Sequence, residues 1–177
     1  MPTMYILMAF SPWIFFWILS AHAHAALPFV GLIISLIINI RSAIRRNIKI
    51  IEVAGLLFFL VATVALPFVD PQVLLRWSFI SGNLLLLLVA AHSLFVERPF
   101  TLQFAREHMP DEAYRSPEVV RSCRVICWFW IIAFLIMTFA SARRFPSTDT
   151  IWLFNLAIFL AALNFTEWYK FFAYKAQ

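Results

Sequence analysis

The chain has 177 residues and a formal net charge of +5, with 63% hydrophobic and 13% charged residues. Soluble globular domains have about 45–50% apolar and about 25% charged residues, so this composition excludes a water-soluble domain and predicts a single integral membrane domain over residues 1–177. The basic residues form short clusters beside apolar runs and not one continuous basic face, which argues against nucleic-acid binding.

The first apolar stretch, residues 5–40, is longer than one transmembrane helix, which needs about 20 apolar residues. A polar interruption that ends at Pro28 divides it, so we predict helices over residues 5–20 and 26–41. The first of these is short, and a re-entrant geometry stays open for it. Because no positively charged region precedes it, we expect a retained membrane segment and not a cleaved signal peptide.

Two further helices are predicted in the middle of the chain. A basic loop over residues 41–49 leads to a third helix over 51–67. The turn-like pair Asp70-Pro71 separates it from a fourth helix, which we place over residues 76–95.

The polar segment 96–116 is predicted to connect the fourth helix to the fifth and to carry a short interfacial helix capped by Thr101. The fifth helix is expected to begin after the cap Ser116 and to end near Ala142, and a sixth helix is expected over 150–172. The fold class is therefore all-α, a polytopic transmembrane bundle of about six helices.

Lysine and arginine are distributed unequally between the two ends of this predicted bundle. With the N-terminus inside, the outer side receives only Arg76, Arg143 and Arg144, and all the other basic residues fall on the inner side. Basic residues in short loops resist translocation. The sequence therefore predicts a multi-pass protein of the bacterial inner membrane whose segment 96–121 and C-terminus are cytoplasmic.

Three histidines are weak candidates for binding a metal ion or haem iron. In the six-helix arrangement His22 and His24 lie at the outer surface, whereas His92 lies near the inner end of the fourth helix. Because most of the membrane thickness separates them, we predict no metal and no cofactor. A haem-binding electron-transfer subunit stays open as an alternative.

Four polar residues lie inside the predicted spans: Asn83, Asn155, Asn164 and Glu167. An asparagine in a span can hydrogen-bond to a neighbouring helix or line a polar path. We expect hydrogen bonds between helices, and a small-molecule transporter or channel is the alternative. Glu167 is expected to pair with Lys170 near the membrane interface.

Four arginines on the predicted cytoplasmic side are expected to contact anionic lipid headgroups, at about 1 kcal/mol each. They are Arg98, Arg106, Arg121 and Arg124. A solvated loop with internal ion pairs explains these residues equally well. The sequence has no nucleophile elbow, glycine-rich phosphate loop or paired carboxylates at catalytic spacing, so we expect no catalytic residue and no enzymatic activity.

Several short features follow one another in a particular order: Pro12 before Phe15-Phe16, a basic loop, Arg76-Trp77, Arg98-Pro99 and Trp128-Phe129. In this order and spacing the chain resembles the bacterial intracellular septation protein A family of small inner-membrane proteins. The resemblance implies a non-enzymatic role in cell-envelope maintenance, septation and cell division. It also implies contacts with membrane lipids and with other envelope membrane proteins, and homo-oligomerisation stays open.

Overall fold

The computed structural model describes residues 2–20, 26–107, 109, 116–143 and 150–175. The described residues form seven helices and no strand, which confirms the all-α bundle. In chain order the helices are α1 (Pro2–Ser20), α2 (Leu27–Ile44), α3 (Ile50–Ala65), α4 (Pro71–Phe95), α5 (Phe100–Ala105), α6 (Pro117–Arg143) and α7 (Ile151–Lys175).

Four of these helices are long and apolar enough to cross a membrane: α2, α4, α6 and residues Ile151–Tyr169 of α7. The apolar helices α1 and α3 are shorter. At 1.5 Å per residue the 16 residues of α3 reach about 24 Å, less than the hydrocarbon thickness of about 30 Å. The 19 residues of α1 reach about 28 Å in one continuous helix.

Helix α1, the segment predicted to be short, packs one side into the bundle, whereas Met4, Leu7, Phe15 and Ile18 are exposed on its other side. It contacts α2, α3, α5 and α7. Its buried side chains recur every three or four residues: Ile6, Ala9, Phe10, Trp13, Phe16 and Trp17. This spacing places them along one side of a helix, where they fill the space between the surrounding helices.

Aromatic rings occupy this interior. Phe10 of α1 stacks on Trp130 of α6 with ring centroids 5.3 Å apart, and it meets Phe159 of α7 at 5.2 Å. Trp13 packs against Phe58 of α3 with ring centroids 4.7 Å apart. Aromatic pairs in this distance range contribute about 0.5–1.5 kcal/mol beyond the burial of their area. The described centre of the bundle is therefore a packed ring cluster.

Helix α4 begins earlier than the sequence prediction, which starts it at Arg76. The side-chain Oδ1 of Asp70 accepts hydrogen bonds from the backbone N–H groups of Gln72 at 2.9 Å and Val73 at 3.2 Å. Pro71 occupies the first helical position, where its missing N–H costs nothing. The pair Asp70-Pro71 is a helix start and not a turn, so the prediction was wrong there.

Replacing Asp70 with Ala is expected to lower the free energy of unfolding by about 1 kcal/mol, because two backbone N–H groups at the start of α4 lose their acceptor. Thermal unfolding of the purified protein in a fixed detergent measures the change. Asp70→Asn keeps a capping oxygen and serves as the control. Equal stability of Asp70→Ala and the unchanged protein would show that the cap contributes nothing.

Helix α5 is packed into the bundle, and Thr101 does not cap it, so the predicted cap was wrong. The helix starts at Phe100, and the Thr101 hydroxyl donates instead to the carbonyl of Cys123 in α6 at 2.7 Å. Phe100 and Phe104 are buried. The predicted cap of the next helix is confirmed, since Ser116 Oγ accepts from the backbone N–H of Val119 at 3.3 Å.

Candidate functional site at the loop end of the bundle

The connection between α2 and α3 and the segment after α4 meet at one end of the bundle, here called the loop end. Arg46 and Glu97, which follow α2 and α4, have φ of 53° and 56°. After α2 the backbone N–H of Arg46 donates to the carbonyl of Ala43, and that of Asn47 donates to the carbonyl of Ser42. This Schellman motif ends the helix and redirects the chain. It leads residues 47–49 into α3.

Three ionisable side chains form a buried group at the loop end, here called the Lys49 cluster: Lys49, Glu52 and Glu107. Lys49 Nζ lies 3.1 Å from Glu52 Oε1 and 2.9 Å from Glu107 Oε1. Their side chains are only 4%, 3% and 11% exposed, in that order. With one cation between two carboxylates, the cluster carries a formal charge of −1 when all three groups are ionised.

Local sequence explains half of this arrangement. Lys49 directly precedes α3 and Glu52 lies in its first turn, where the positive end of the helix dipole favours a carboxylate. The backbone N–H of Lys49 also donates to Glu52 Oε2 at 3.4 Å. A hydrogen bond connects this turn of α3 to α2, because Asn39 Nδ2 donates to the carbonyl of Glu52 at 2.9 Å.

The other half comes from α5 and the residues after it. Asn47 Nδ2 donates to Glu107 Oε1 at 3.1 Å, the same oxygen that Lys49 contacts. Gln103 Oε1 accepts from the backbone N–H of Ile50 at 3.0 Å, and Lys49 Nζ lies 5.4 Å from the ring centroid of Phe104. The segment after α4 therefore holds the start of α3 by polar contacts.

A small cavity lies beside the Lys49 cluster. Its volume is about 20 Å³, which is enough for one water-sized group. Organic ligands need pockets of about 300–1,000 Å³, so the enclosed part holds a small group and not a whole substrate. The residues that line it are Tyr5, Met8, Ile38, Arg41, Ser42, Arg45, Asn47, Lys49, Glu52 and Glu107.

Two groups of this cavity have incomplete partners. Glu107 Oε2 is buried and has no hydrogen-bond partner among the described residues. A guanidinium nitrogen of Arg41 lies 3.4 Å from the sulfur of Met8, which is a weak acceptor, and Arg45 is exposed. The lining of the cavity thus carries three basic side chains, Lys49, Arg41 and Arg45, and two carboxylates, Glu52 and Glu107.

The polar residues predicted inside the spans occupy different environments. Asn83 is buried and its Nδ2 donates to Ser141 Oγ at 3.2 Å, between α4 and α6. Asn155 is fully buried, and neither of its amide atoms has a partner within the described part of the chain. Asn164 is exposed and donates to the carbonyl of Leu160 in its own helix at 2.9 Å. Glu167 is half-buried in α7.

The candidate metal and lipid residues are not brought together at the cavity. His92 is exposed in the last turn of α4, and His22 and His24 lie outside the described residues. Groups of three or more metal-binding side chains do not occur in the described ranges. The predicted lipid-contact arginines are all exposed and none lines the cavity: Arg98, Arg106, Arg121 and Arg124.

Sequence reasoning missed the Lys49 cluster, although part of the signal was present. Lys49 and Glu52 are three residues apart at the start of an apolar helix, a spacing that pairs side chains on one helix face. The basic loop over residues 41–49 predicts only the orientation of the chain in the membrane. Glu107 gives no local signal, because its contact with Lys49 depends on how α5 packs.

Apolar spans that enclose an aromatic interior define the class of this protein, a multi-pass α-helical membrane protein. Its most polar interior group lies at one end of the bundle, where the loops meet, and not halfway along the spans. No family model, curated protein or solved structure matches the chain.

Proposed function

We propose that the chain is a bacterial inner-membrane protein of envelope maintenance and septation, which acts by contacting other membrane proteins and not by catalysis. The packed ring cluster around Phe10 and Trp130 supports this proposal, because side chains fill the described interior and leave the outer helix faces for function. The proposed cellular role rests on the resemblance to the septation protein A family in the order and spacing of sequence features.

The outer face of α7 carries the proposal. Ala157, Ala161 and Asn164 are exposed along this helix, at spacings of four and three residues that place them on one side. Small residues let a second helix approach closely, and an asparagine facing lipid gains from a hydrogen bond to a partner helix. We therefore assign the partner-binding surface to this face.

The proposal also includes an orientation in the membrane, which is argued from the distribution of the arginines. The loop end carries most of the exposed arginines, among them Arg45, Arg46 and Arg98, whereas Arg76 and Arg143 lie at the opposite end. Under the positive-inside rule the loop end and the C-terminus face the cytoplasm. Reporter fusions that place residue 45 and the C-terminus on opposite sides of the membrane would contradict this assignment.

A photo-crosslinking amino acid in place of Ala157 is expected to capture an envelope membrane protein other than this chain in living cells. The reason is that this position lies at the proposed helix contact. The measurement is mass spectrometry of the crosslinked bands. The same amino acid at Leu57, an exposed position on α3, is the matched control and should capture mainly lipid. Ala161→Leu should abolish the protein crosslink by blocking close approach.

Crosslinks from Ala157 that contain only lipid, or only a second copy of this chain, would overturn the proposed function. A crosslink of equal yield from Leu57 would show that the contact is not specific to α7.

A further inference from the structure

Two buried asparagines carry polar atoms that lack hydrogen-bond partners. Asn155 of α7 is fully buried, and both its Nδ2 and its Oδ1 are without a partner among the described residues. Asn83 of α4 is 1% exposed, and its Oδ1 also has no partner there. The large majority of buried polar atoms in folded proteins pair with a protein group or with an ordered water. These three atoms therefore point to a ligand.

The packing of α6 against α7 places Ser141 opposite Asn155. Trp130 Nε1 donates to Thr166 Oγ1 at 3.1 Å, which joins the two helices. Ser141 is eleven residues after Trp130 on α6, and Asn155 is eleven residues before Thr166 on α7. Eleven residues make about three helical turns. In two antiparallel helices the second pair therefore lies at one level and on the same facing sides as the first pair.

Asn83 belongs to the same level, because its Nδ2 donates to Ser141 Oγ at 3.2 Å. The three side chains Asn83, Ser141 and Asn155 come from α4, α6 and α7 and are here called the polar layer. Asn155 is four residues after the start of α7, and Ser141 is two residues before the end of α6. The polar layer therefore lies near the end of the bundle opposite the loop end, close to the polar surface of the bilayer.

The side chains that face each other in the polar layer leave room for a small group. Serine and asparagine are smaller together than tryptophan and threonine, so at an equal separation of α6 and α7 they leave space that Trp130 fills three turns away. Asn155 and Ser141 form no hydrogen bond with each other. On the side of the loop end, Phe159 lies one turn from Asn155 and packs against Phe10. This ring contact closes the layer on that side, which does not fit a continuous path across the membrane.

The unpartnered atoms select a neutral ligand that both donates and accepts hydrogen bonds. Asn155 Nδ2 is a donor, whereas the Oδ1 atoms of Asn155 and Asn83 are acceptors. A cation would leave the donor unpaired, and an anion would leave both acceptors unpaired. The polar layer also has no ionisable side chain that could balance either charge. Water donates and accepts, and buried waters typically make about three hydrogen bonds to such groups.

We propose that the polar layer binds ordered water inside the bundle. The water accepts from Asn155 Nδ2 and donates to the Oδ1 atoms of Asn155 and Asn83. Hydrogen bonds through this water connect α4 to α7, in addition to the direct bond between Asn83 and Ser141 that connects α4 to α6. The site lies between helices, so this proposal does not depend on the partner-binding surface on the outer face of α7.

Water-edited solid-state NMR of the full chain in lipid bilayers tests the proposal. Protein labelled with the heavy nitrogen isotope at asparagine alone gives five side-chain amide signals, from Asn39, Asn47, Asn83, Asn155 and Asn164. Magnetisation that starts on water protons should reach Asn155 and Asn83 as early as it reaches Asn47, which lies in the loop before α3. It should reach Asn164 later, because this side chain is exposed on the lipid-facing side of α7.

Three variants test whether the two asparagines share this water. Asn155→Leu identifies one signal and should abolish the early transfer to Asn83. Asn164→Leu is the matched control, with the same substitution on the same helix, and should leave the transfer to Asn83 unchanged. Asn155→Ser keeps a polar group in the layer and should retain that transfer, so it provides a test if the leucine variant does not fold.

Transfer to Asn155 that is as slow as transfer to Asn164 would overturn the proposal, because the polar layer would then be dry. Unchanged transfer to Asn83 in Asn155→Leu would overturn the shared site. Replacing sodium in the buffer with choline tests for a bound cation. A shift of the Asn155 signal after this exchange would overturn the assignment to water.

Discussion

Lys49→Met should destabilise the protein by about 3–5 kcal/mol, the usual cost of removing one partner from a buried ion pair. Glu52 and Glu107 both lie about 3 Å from the same ammonium nitrogen, so without it two buried carboxylates face each other. Methionine preserves most of the side-chain volume, which leaves the charge as the main change. Unfolding in mixed micelles, followed by tryptophan fluorescence, measures the loss of free energy.

Two further variants test the cause of this loss. Arg46→Met removes a positive charge from the same loop, but Arg46 is exposed, so its stability should change by less than about 0.5 kcal/mol. Combining Lys49→Met with Glu52→Gln and Glu107→Gln should recover most of the loss, because a fully neutral buried group has no uncompensated charge. If the triple variant is as unstable as Lys49→Met, the loss of free energy comes from packing and not from uncompensated charge.

Gly82→Ala is expected to destabilise the bundle, although alanine is normally favoured over glycine inside a helix by about 1 kcal/mol. A Cβ atom at this position would lie 2.6 Å from Trp13 Cζ3 and 3.2 Å from Phe58 Cζ. Trp13 is buried and packed against Phe58, so the ring cannot move away freely. Overpacking of this kind costs about 1–3 kcal/mol, which outweighs the gain in helix propensity.

Gly55→Ala is the matched control, because this substitution gains the same helix propensity. Its Cβ atom would lie 3.4 Å from Trp13 Nε1, which is an ordinary contact distance. It should be clearly more stable than Gly82→Ala in the same thermal unfolding assay. Trp13→Phe combined with Gly82→Ala should recover part of the loss, because the smaller ring leaves room for the methyl group. If Gly82→Ala unfolds at the same temperature as Gly55→Ala, the close packing is not limiting.

The positions of the long helices could be predicted from the sequence because a span in lipid needs an uninterrupted apolar run, and length alone then sets the number of helices. The arrangement of those helices could not. Helix α1 is apolar on all sides, so its sequence does not indicate which face is buried. Asp70 was missed because a capping pair and a turn have the same composition.

Even less of the candidate site could be predicted from the sequence. Asn155 and Asn164 lie on the same apolar helix, yet the first is fully buried and the second is exposed, because only one of them faces the neighbouring helices. Glu107 belongs to a polar segment that composition predicts to be surface. Its burial depends on the docking of the segment after α4 against Lys49, which is a tertiary feature.

The aromatic contacts between α1 and α7 have a consequence for how the protein is assembled. Phe10 and Trp17 contact Phe159, which the ribosome delivers long after α1 has entered the bilayer. Until then these two rings lack this packing partner. Assembly therefore ends with the docking of α6 and α7 on the buried side of a helix made much earlier, and a chain that stops before α6 would leave these aromatic side chains without their partners.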